Sequence, residues 1–256
     1  MGRVLAVVSQ KGGVGKTTTA VNLAAALGRR GIRTLLVDLD PQGSVRFGVG
    51  LPPGARADGY AEFLAGKRSL EDVQLATPLP RLRVLLVGTI AEGGDHSAFQ
   101  RRLTEGNAID DLLSDARSEH EVVIVDTPPG MGPIVRRVLG ASDEVLIPVQ
   151  CEPLALQTTP QLLRGLQEIL ASNPNLALTG LLLTMFEEGN PVSERVSSFI
   201  RETLPEGMVL DIVVPRTVAA VDAFAAGQPV VLRTPDDPAA RAYTELAAWV
   251  AEPVAP

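Results

Sequence analysis

Cysteine, lysine and long apolar runs are what this 256-residue chain has least of, and each scarcity removes a class of protein. Its one cysteine, Cys151, excludes an intrachain disulfide and leaves too few thiolates for a cysteine-built zinc or iron–sulfur site within one chain. No apolar run approaches the roughly 20 residues of a membrane span. The chain enters a strand-like stretch at once, Arg3 to Val8, without the plan of a signal peptide, so a cytoplasmic protein is expected. Excess positive charge is missing as well. The formal net charge of −7 argues against a surface basic all over, but leaves room for a local basic patch. Lysine occurs only as Lys11, Lys16 and Lys67, against 20 arginines, and the first two lie five residues apart in one glycine-rich loop. A compact ammonium on a slim stem fits among phosphates where a planar guanidinium does not, so the lysines retained in that loop point to a polyanion.

What is present is the material of a globular α/β domain. Hydrophobic residues at 45% and charged residues at 21% allow a sizeable core and exclude a disordered or fibrous chain. Apolar runs of strand length stand at residues 4–8, 34–37, 82–87, 122–125, 145–149, 178–183 and 209–213. They are nearly continuous in Val, Leu and Ile, as strands covered on both faces are. Helical patterns are expected over 17–30, 99–117, 133–139, 154–170, 192–204, 218–226 and 238–250, and Gly- and Pro-rich stretches at 48–54 and 88–94 read as loops. This alternation predicts an α/β fold: a doubly wound, mostly parallel sheet with helices on both faces, in a single domain over residues 1–256.

The chemistry concentrates at the ends of three of these strands. The first runs into Gln10-Lys11-Gly12-Gly13-Val14-Gly15-Lys16-Thr17-Thr18 and then into a helix. Glycines there let successive N–H groups point into one concavity capped by a helix N-terminus, which makes an anion nest. Lys16 can reach the β- and γ-phosphates of a nucleotide and the Thr17 hydroxyl can ligate Mg²⁺. The general phosphate-loop pattern asks for glycine six residues before that lysine. Gln10 stands there instead, and Lys11 adds a second cation inside the loop. Asp38 and Asp40 close the second strand, where a carboxylate can hold Mg²⁺ through water or orient a water that attacks the γ-phosphate. Asp126 closes another buried strand and suits a water-mediated Mg²⁺ contact. The Pro128-Pro129-Gly130 that follows suits a loop that shifts when the γ-phosphate leaves.

Lys11-Gly-Gly-Val-Gly-Lys-Thr-Thr18 resembles the deviant Walker A signature of the ParA/MinD superfamily. Val37-Asp38-Leu39-Asp40-Pro41-Gln42-Gly43 is similar to its switch I, and Val125-Asp126-Thr127-Pro128-Pro129-Gly130 to its Walker B strand and switch II. Leu183–Phe186 and Val214–Arg216 fall where the family's late strands end beside the adenine. The resemblance implies an ATPase with ATP and Mg²⁺ as cofactors. Its nucleotide contacts would come from Lys11, Gly12, Gly13, Val14, Gly15, Lys16, Thr17 and Thr18, with Met185, Pro215 and Thr217 beside the base. It assigns water orientation to Asp40, makes Lys11, Lys16 and Asp40 the residues of hydrolysis, and places Mg²⁺ among Thr17, Asp40 and Asp126. It also implies a homodimer formed on ATP binding, with Lys11 of each subunit reaching the other subunit's nucleotide.

Within the superfamily, cluster-carrying members need cysteine ligands, and one Cys151 cannot supply them; tyrosine kinases of this type carry a tyrosine-rich tail, whereas only Tyr60 and Tyr243 occur here. MinD-like ATPases end in a basic amphipathic helix, but no Lys or Arg follows Arg241, so no membrane partner is expected. A short, Soj-like partition ATPase without an N-terminal helix-turn-helix extension fits, with non-specific double-stranded DNA of the nucleoid and a ParB-like activator or cargo adaptor as partners. One departure stands out. The family's DNA-binding arginines align with about Gly189 and Ala219, so DNA contact is expected to fall to Arg195, Arg201, Arg216 and Arg233. Two alternatives stay open: a positioning ATPase for a protein cargo, and a metabolic ATP-dependent enzyme of the same fold.

Overall fold

The computed structural model describes residues 2–51, 57–88, 101 and 103–252. Its strands are β1 (Arg3–Val7), β2 (Thr34–Asp38), β3 (Leu75–Ala76), β4 (Leu82–Leu85), β5 (Val122–Asp126), β6 (Glu144–Gln150), β7 (Ala177–Phe186) and β8 (Val209–Pro215). They form one eight-stranded sheet in the order β3-β4-β2-β5-β1-β6-β7-β8. Every neighbouring pair is parallel except β3 with β4. The expected doubly wound α/β sheet is therefore what the chain forms, with one short antiparallel edge added.

Two cores cover the two faces, and the strands alternate between them as the pleat demands. Val4, Ala6 and Val8 join one core, while Leu5 and Val7 join the other. Helices α1 (Lys16–Arg29), α9 (Val218–Ala225), α10 (Val230–Arg233) and α11 (Pro238–Ala251) pack on the Leu5 face. Helices α5 (Ala108–Glu119), α6 (Pro133–Gly140), α7 (Ala155–Ser172) and α8 (Pro191–Thr203) pack on the Val4 face. Short helices α2 (Val45–Gly48), α3 (Tyr60–Leu64) and α4 (Leu70–Val73) sit in the connections between β2 and β3. Local chemistry starts the longer helices. Proline occupies the first turn of α6, α8 and α11, and the Asn190, Thr217 and Asp237 side chains accept backbone N–H bonds at the starts of α8, α9 and α11.

The structure departs from the sequence reading in a few places. The helix expected over 99–117 begins only at Ala108, because a turn at Gly106 (φ +70°) separates it from the helical residues 101, 103 and 104. Residues 99, 100 and 102 of that stretch lie outside the described residues, as do 52–54 and 89–94 of the two expected loops. Within the first of those loops, Gly48 instead closes α2. β3, α2, α3 and α4 are two to five residues long, too short for any periodicity to declare them.

Parallel wiring brings the carboxyl ends of β1, β2, β5, β6, β7 and β8 to one edge of the sheet, where ligands of open α/β sheets are held. Cys151 stands just beyond that edge of β6, buried, and burial pushes its thiol up to about 11 against a weaker pull from Ser193 and Arg201. Since the thiolate is the reacting species, Cys151 is expected to react with a disulfide reagent at pH 8 at least about 100-fold more slowly in the native chain than in denaturant. Equal rates in a stopped-flow absorbance assay would contradict that burial.

Candidate functional site

β1 delivers the chain into a loop whose conformation its glycines make possible. Gly13 (φ +80°) and Gly15 (φ +85°) both hold left-handed backbone that side chains resist, and Gly15 sits at the N-terminus of α1. Neighbouring strands fix the loop from outside. The Thr184 hydroxyl on β7 donates to the Val14 carbonyl at 2.8 Å, and Gly130 N–H donates to the Ser9 carbonyl at 2.8 Å. The second bond joins the Pro128-Pro129-Gly130 turn directly to the start of the phosphate loop. Ser9 Oγ in turn donates to the Lys11 carbonyl at 3.0 Å, and Lys11 is exposed.

At the floor of the nest, Lys16 is only 7% exposed. Its Nζ lies 2.7 Å from Asp126 Oδ1 and 3.8 Å from Asp40 Oδ2. Thr17 Oγ1 donates to the other Asp126 oxygen at 2.7 Å. Asp126 thus gathers the ammonium and the hydroxyl that a phosphate and a divalent cation would each call on. Burial pushes the Asp126 carboxyl above its usual value, while the Lys16 charge and the two side-chain hydrogen bonds pull against that rise. A Mg²⁺ ion here could take Thr17 Oγ1 and Asp126 oxygens, directly or through water, as Lys16 moves to phosphate oxygens.

Two carboxylates of the second strand part ways. The sequence puts both Asp38 and Asp40 at the end of the second strand and the resemblance gives a role only to Asp40; the strand order sets β5 between β1 and β2, so Asp126 stands next to the phosphate loop and Asp38 one strand further out, in register with Asp126. Asp38 is fully buried and turned into the loop that follows, where it accepts the Asp40 and Val45 N–H groups at 3.2 and 3.1 Å. Burial, then the charge of Asp126, pushes its carboxyl well up. Asp40 Oδ1 accepts the Gln42 N–H at 3.0 Å, which leaves Oδ2 as the oxygen nearest Lys16. Tyr60 lies fully buried near this pair, its phenol pushed up by burial and by the charges of Asp38 and Asp40.

A groove of about 380 Å³ opens beside the nest and is lined by Gly15, Met185, Pro215, Val221, Phe224 and Tyr243 among others. Its size and mostly apolar wall suit a nucleobase. Met185 carries the one positive φ (52°) of a non-glycine residue among the described residues. Thr217 borders the groove, but its hydroxyl is committed: it caps α9 through Ala220 N–H and donates to Asp237 Oδ1 at 2.9 Å. With its proton on Asp237, the Thr217 hydroxyl can offer a base only an acceptor, beside its backbone and methyl.

The four arginines proposed for DNA are not gathered in one patch. Arg216 lies on the groove rim between Glu187 (2.8 Å) and Glu152 (3.8 Å). Arg201 bonds the Leu210 carbonyl at 2.9 Å and approaches Asp211 at 3.7 Å, at the opposite end of β8 from Arg216, roughly 20 Å away at ~3.3 Å per residue. Arg233 donates to the neutral Gln228 at 3.2 Å, and Arg195 is exposed on α8. The two positions where arginine is missing now have structural reasons. Gly189 is left-handed (φ +76°), with its N–H bonded to Glu194 at 2.9 Å, and Ala219 packs partly buried against the Leu5-face core.

Compared with known proteins, residues 2–178 match the family described as an AAA domain. The chain is 36% identical over 251 residues to the chromosome partitioning protein ParA of Caulobacter vibrioides, with 96% of this chain and 92% of that protein covered. It is 35% identical over 256 residues to the sporulation initiation inhibitor protein Soj of Bacillus subtilis, covering 98% and 99%. Among solved structures it is similar to cobyrinic acid a,c-diamide synthase from Mycobacterium smegmatis with bound ADP and magnesium, with a TM-score of 0.77, 32% identity, and 97% and 93% of the two chains covered.

Proposed function

The chain belongs to the ParA/MinD superfamily of P-loop ATPases, and on that premise we propose that it is a ParA-type partition ATPase, which binds Mg·ATP, dimerises around it, associates with DNA without sequence preference, and hydrolyses ATP to let go. The observation that carries this is the nest itself: Lys16, Thr17 and Asp126 in mutual contact at the end of β1, with Asp40 Oδ2 3.8 Å from the Lys16 ammonium. Lys16 and the loop N–H groups hold the β- and γ-phosphates, Thr17 and Asp126 hold Mg²⁺, and Asp40 orients the attacking water. Lys11, exposed in the loop, reaches the other subunit's phosphates and supplies charge in trans. The partners are a second copy, nucleoid DNA and a ParB-like activator or cargo adaptor, and the setting is the cytoplasm. Among the described residues no helix is long and apolar enough to cross a membrane.

The missing arginines favour a second reading, a switch whose cargo is a protein, and one assay separates the two. Arg195 and Arg233 face no carboxylate within ion-pair distance among the described residues, so a dimer would neutralise about four phosphates through two copies of each. Binding of arbitrary duplex DNA in ATP should then fall with salt at a log–log slope of roughly −4, near −0.9 per phosphate, and should vanish in ADP. Retention of ATP-dependent dimerisation with no DNA binding at low salt would reject the nucleoid reading in favour of a protein cargo. Hydrolysis by the purified chain without any carboxylate acceptor is likewise expected; a strict requirement for one would favour an amide-forming enzyme.

A further inference from the structure

We propose that Asp38 is a positioning residue for hydrolysis: its carboxyl group pins both ends of the loop that carries Asp40, and it takes no place in the coordination of Mg²⁺. The proposal rests on the ATPase reading above, in which Asp40 orients the attacking water. The loop from Leu39 to Val45 accounts for its backbone donors almost wholly within this corner. Leu39 N–H goes to the Asp126 carbonyl at 2.9 Å, and Gly43 N–H to the Asp40 carbonyl at 2.8 Å, closing a turn for which Gly43 adopts φ +63°. Gln42 N–H goes to Asp40 Oδ1 at 3.0 Å. The N–H groups at the two ends of the turn, Asp40 and Val45, go one to each oxygen of Asp38. Both acceptor oxygens of Asp38 are thereby turned away from Lys16 and Thr17 and into the loop. A metal drawing either oxygen back would leave a buried N–H without a partner, which costs the fold the desolvation of that group. Asp126, in register beside it, has its two oxygens on Lys16 and Thr17 instead. Among the described residues the side chain of Asp40 bonds no strand, so the direction of its Oδ2 follows the loop backbone that Asp38 holds.

Asp38→Asn tests this, because the amide keeps one acceptor oxygen but sets a donor against the other N–H. A displacement of the order of 1 Å at a reacting group costs up to about 100-fold. The kcat for ATP hydrolysis is therefore expected to fall about 10- to 100-fold, with the KM for ATP and the Mg²⁺ midpoint of turnover each within about 3-fold of the unsubstituted chain. Unchanged kcat would overturn the proposal. So would a Mg²⁺ midpoint raised 10-fold or more with activity restored at high Mg²⁺, the result for a metal ligand. An unsubstituted chain that hydrolyses no ATP would refute the ATPase reading instead, and leaves the loop itself to be tested by amide hydrogen exchange. That measurement also serves if Asp38→Asn does not fold. In the unsubstituted chain the Asp40 and Val45 amides are expected to be protected like those of β2, and exchange at exposed-loop rates would overturn the pinning.

Discussion

Replacing Lys16 by alanine is expected to weaken ATP binding by at least about 100-fold, and to destabilise the nucleotide-free chain as well. The first effect follows from losing charge-assisted contacts to phosphate oxygens, each of about 1.5–3 kcal/mol. Titration of a fluorescent ATP analogue checks it, and unsubstituted affinity in Lys16→Ala would remove the phosphate-site assignment. The second effect follows from the 2.7 Å pair between Lys16 and Asp126, both buried. Removing one partner of such a pair costs about 3–5 kcal/mol because the other is left as a buried charge. Asp126 already has its carboxyl raised by burial, and without the lysine it rises further. A carboxyl with its folded value above its unfolded one loses stability as pH climbs from the unfolded value towards the folded one. The destabilisation of Lys16→Ala should therefore be larger at pH 7.5 than at pH 5, read as the difference in denaturation midpoints at the two pH values. Thr17→Ala, which removes only the hydroxyl on Asp126, should weaken binding mainly when Mg²⁺ is present.

Asp40→Ala is expected to behave in the opposite way: nucleotide bound, hydrolysis lost. Asp40 reaches Lys16 only at 3.8 Å, and the bonds of Lys16 and Thr17 to Asp126 do not pass through it. The nest should survive its removal. A group that orients or deprotonates the attacking water contributes about 100- to 10,000-fold, so kcat should drop by at least about 100-fold with the ATP affinity nearly intact. Under the proposed cycle the ATP-bound dimer then accumulates, seen as a doubled mass by light scattering with ATP but not ADP. Normal turnover in Asp40→Ala would assign the water to another group. Lys11→Ala should also bind ATP and fail to hydrolyse it, and mixing it with Asp40→Ala distinguishes action in trans from action within one subunit.

The fold was largely legible because parallel strands buried on both faces announce themselves as unbroken apolar runs, as in the residues of β1, β2 and β5. What escaped was short or held by partners distant in sequence: β3, a two-residue edge paired to β4, α2 to α4, and the four-residue α10. The nest was legible for a related reason. Glycine backbone freedom, a lysine and a threonine act within nine consecutive residues, so strand–glycine–helix order is enough to aim them. The sequence also put Asp126 and the Asp38–Asp40 pair at the carboxyl ends of strands, and the resemblance assigned Asp40 and Asp126 to the nucleotide site. It gave Asp38 no role, since nothing local tells what a strand-ending aspartate will meet.

The sequence by itself determined the chemistry available at the edge of the sheet: one phosphate loop, its two lysines, three carboxylates and no cysteine cluster. The tertiary structure decided how that chemistry is divided. Strand order placed β5 between β1 and β2 and so gave Lys16 and Thr17 to Asp126, leaving Asp38 to the Asp40 loop. The run of β8 set Arg201 and Arg216 at opposite ends of one strand, though the sequence had named both for one DNA contact. Residue type is a local property, but the neighbour a side chain meets depends on pairing across a hundred residues or more, and only the folded sheet supplies that.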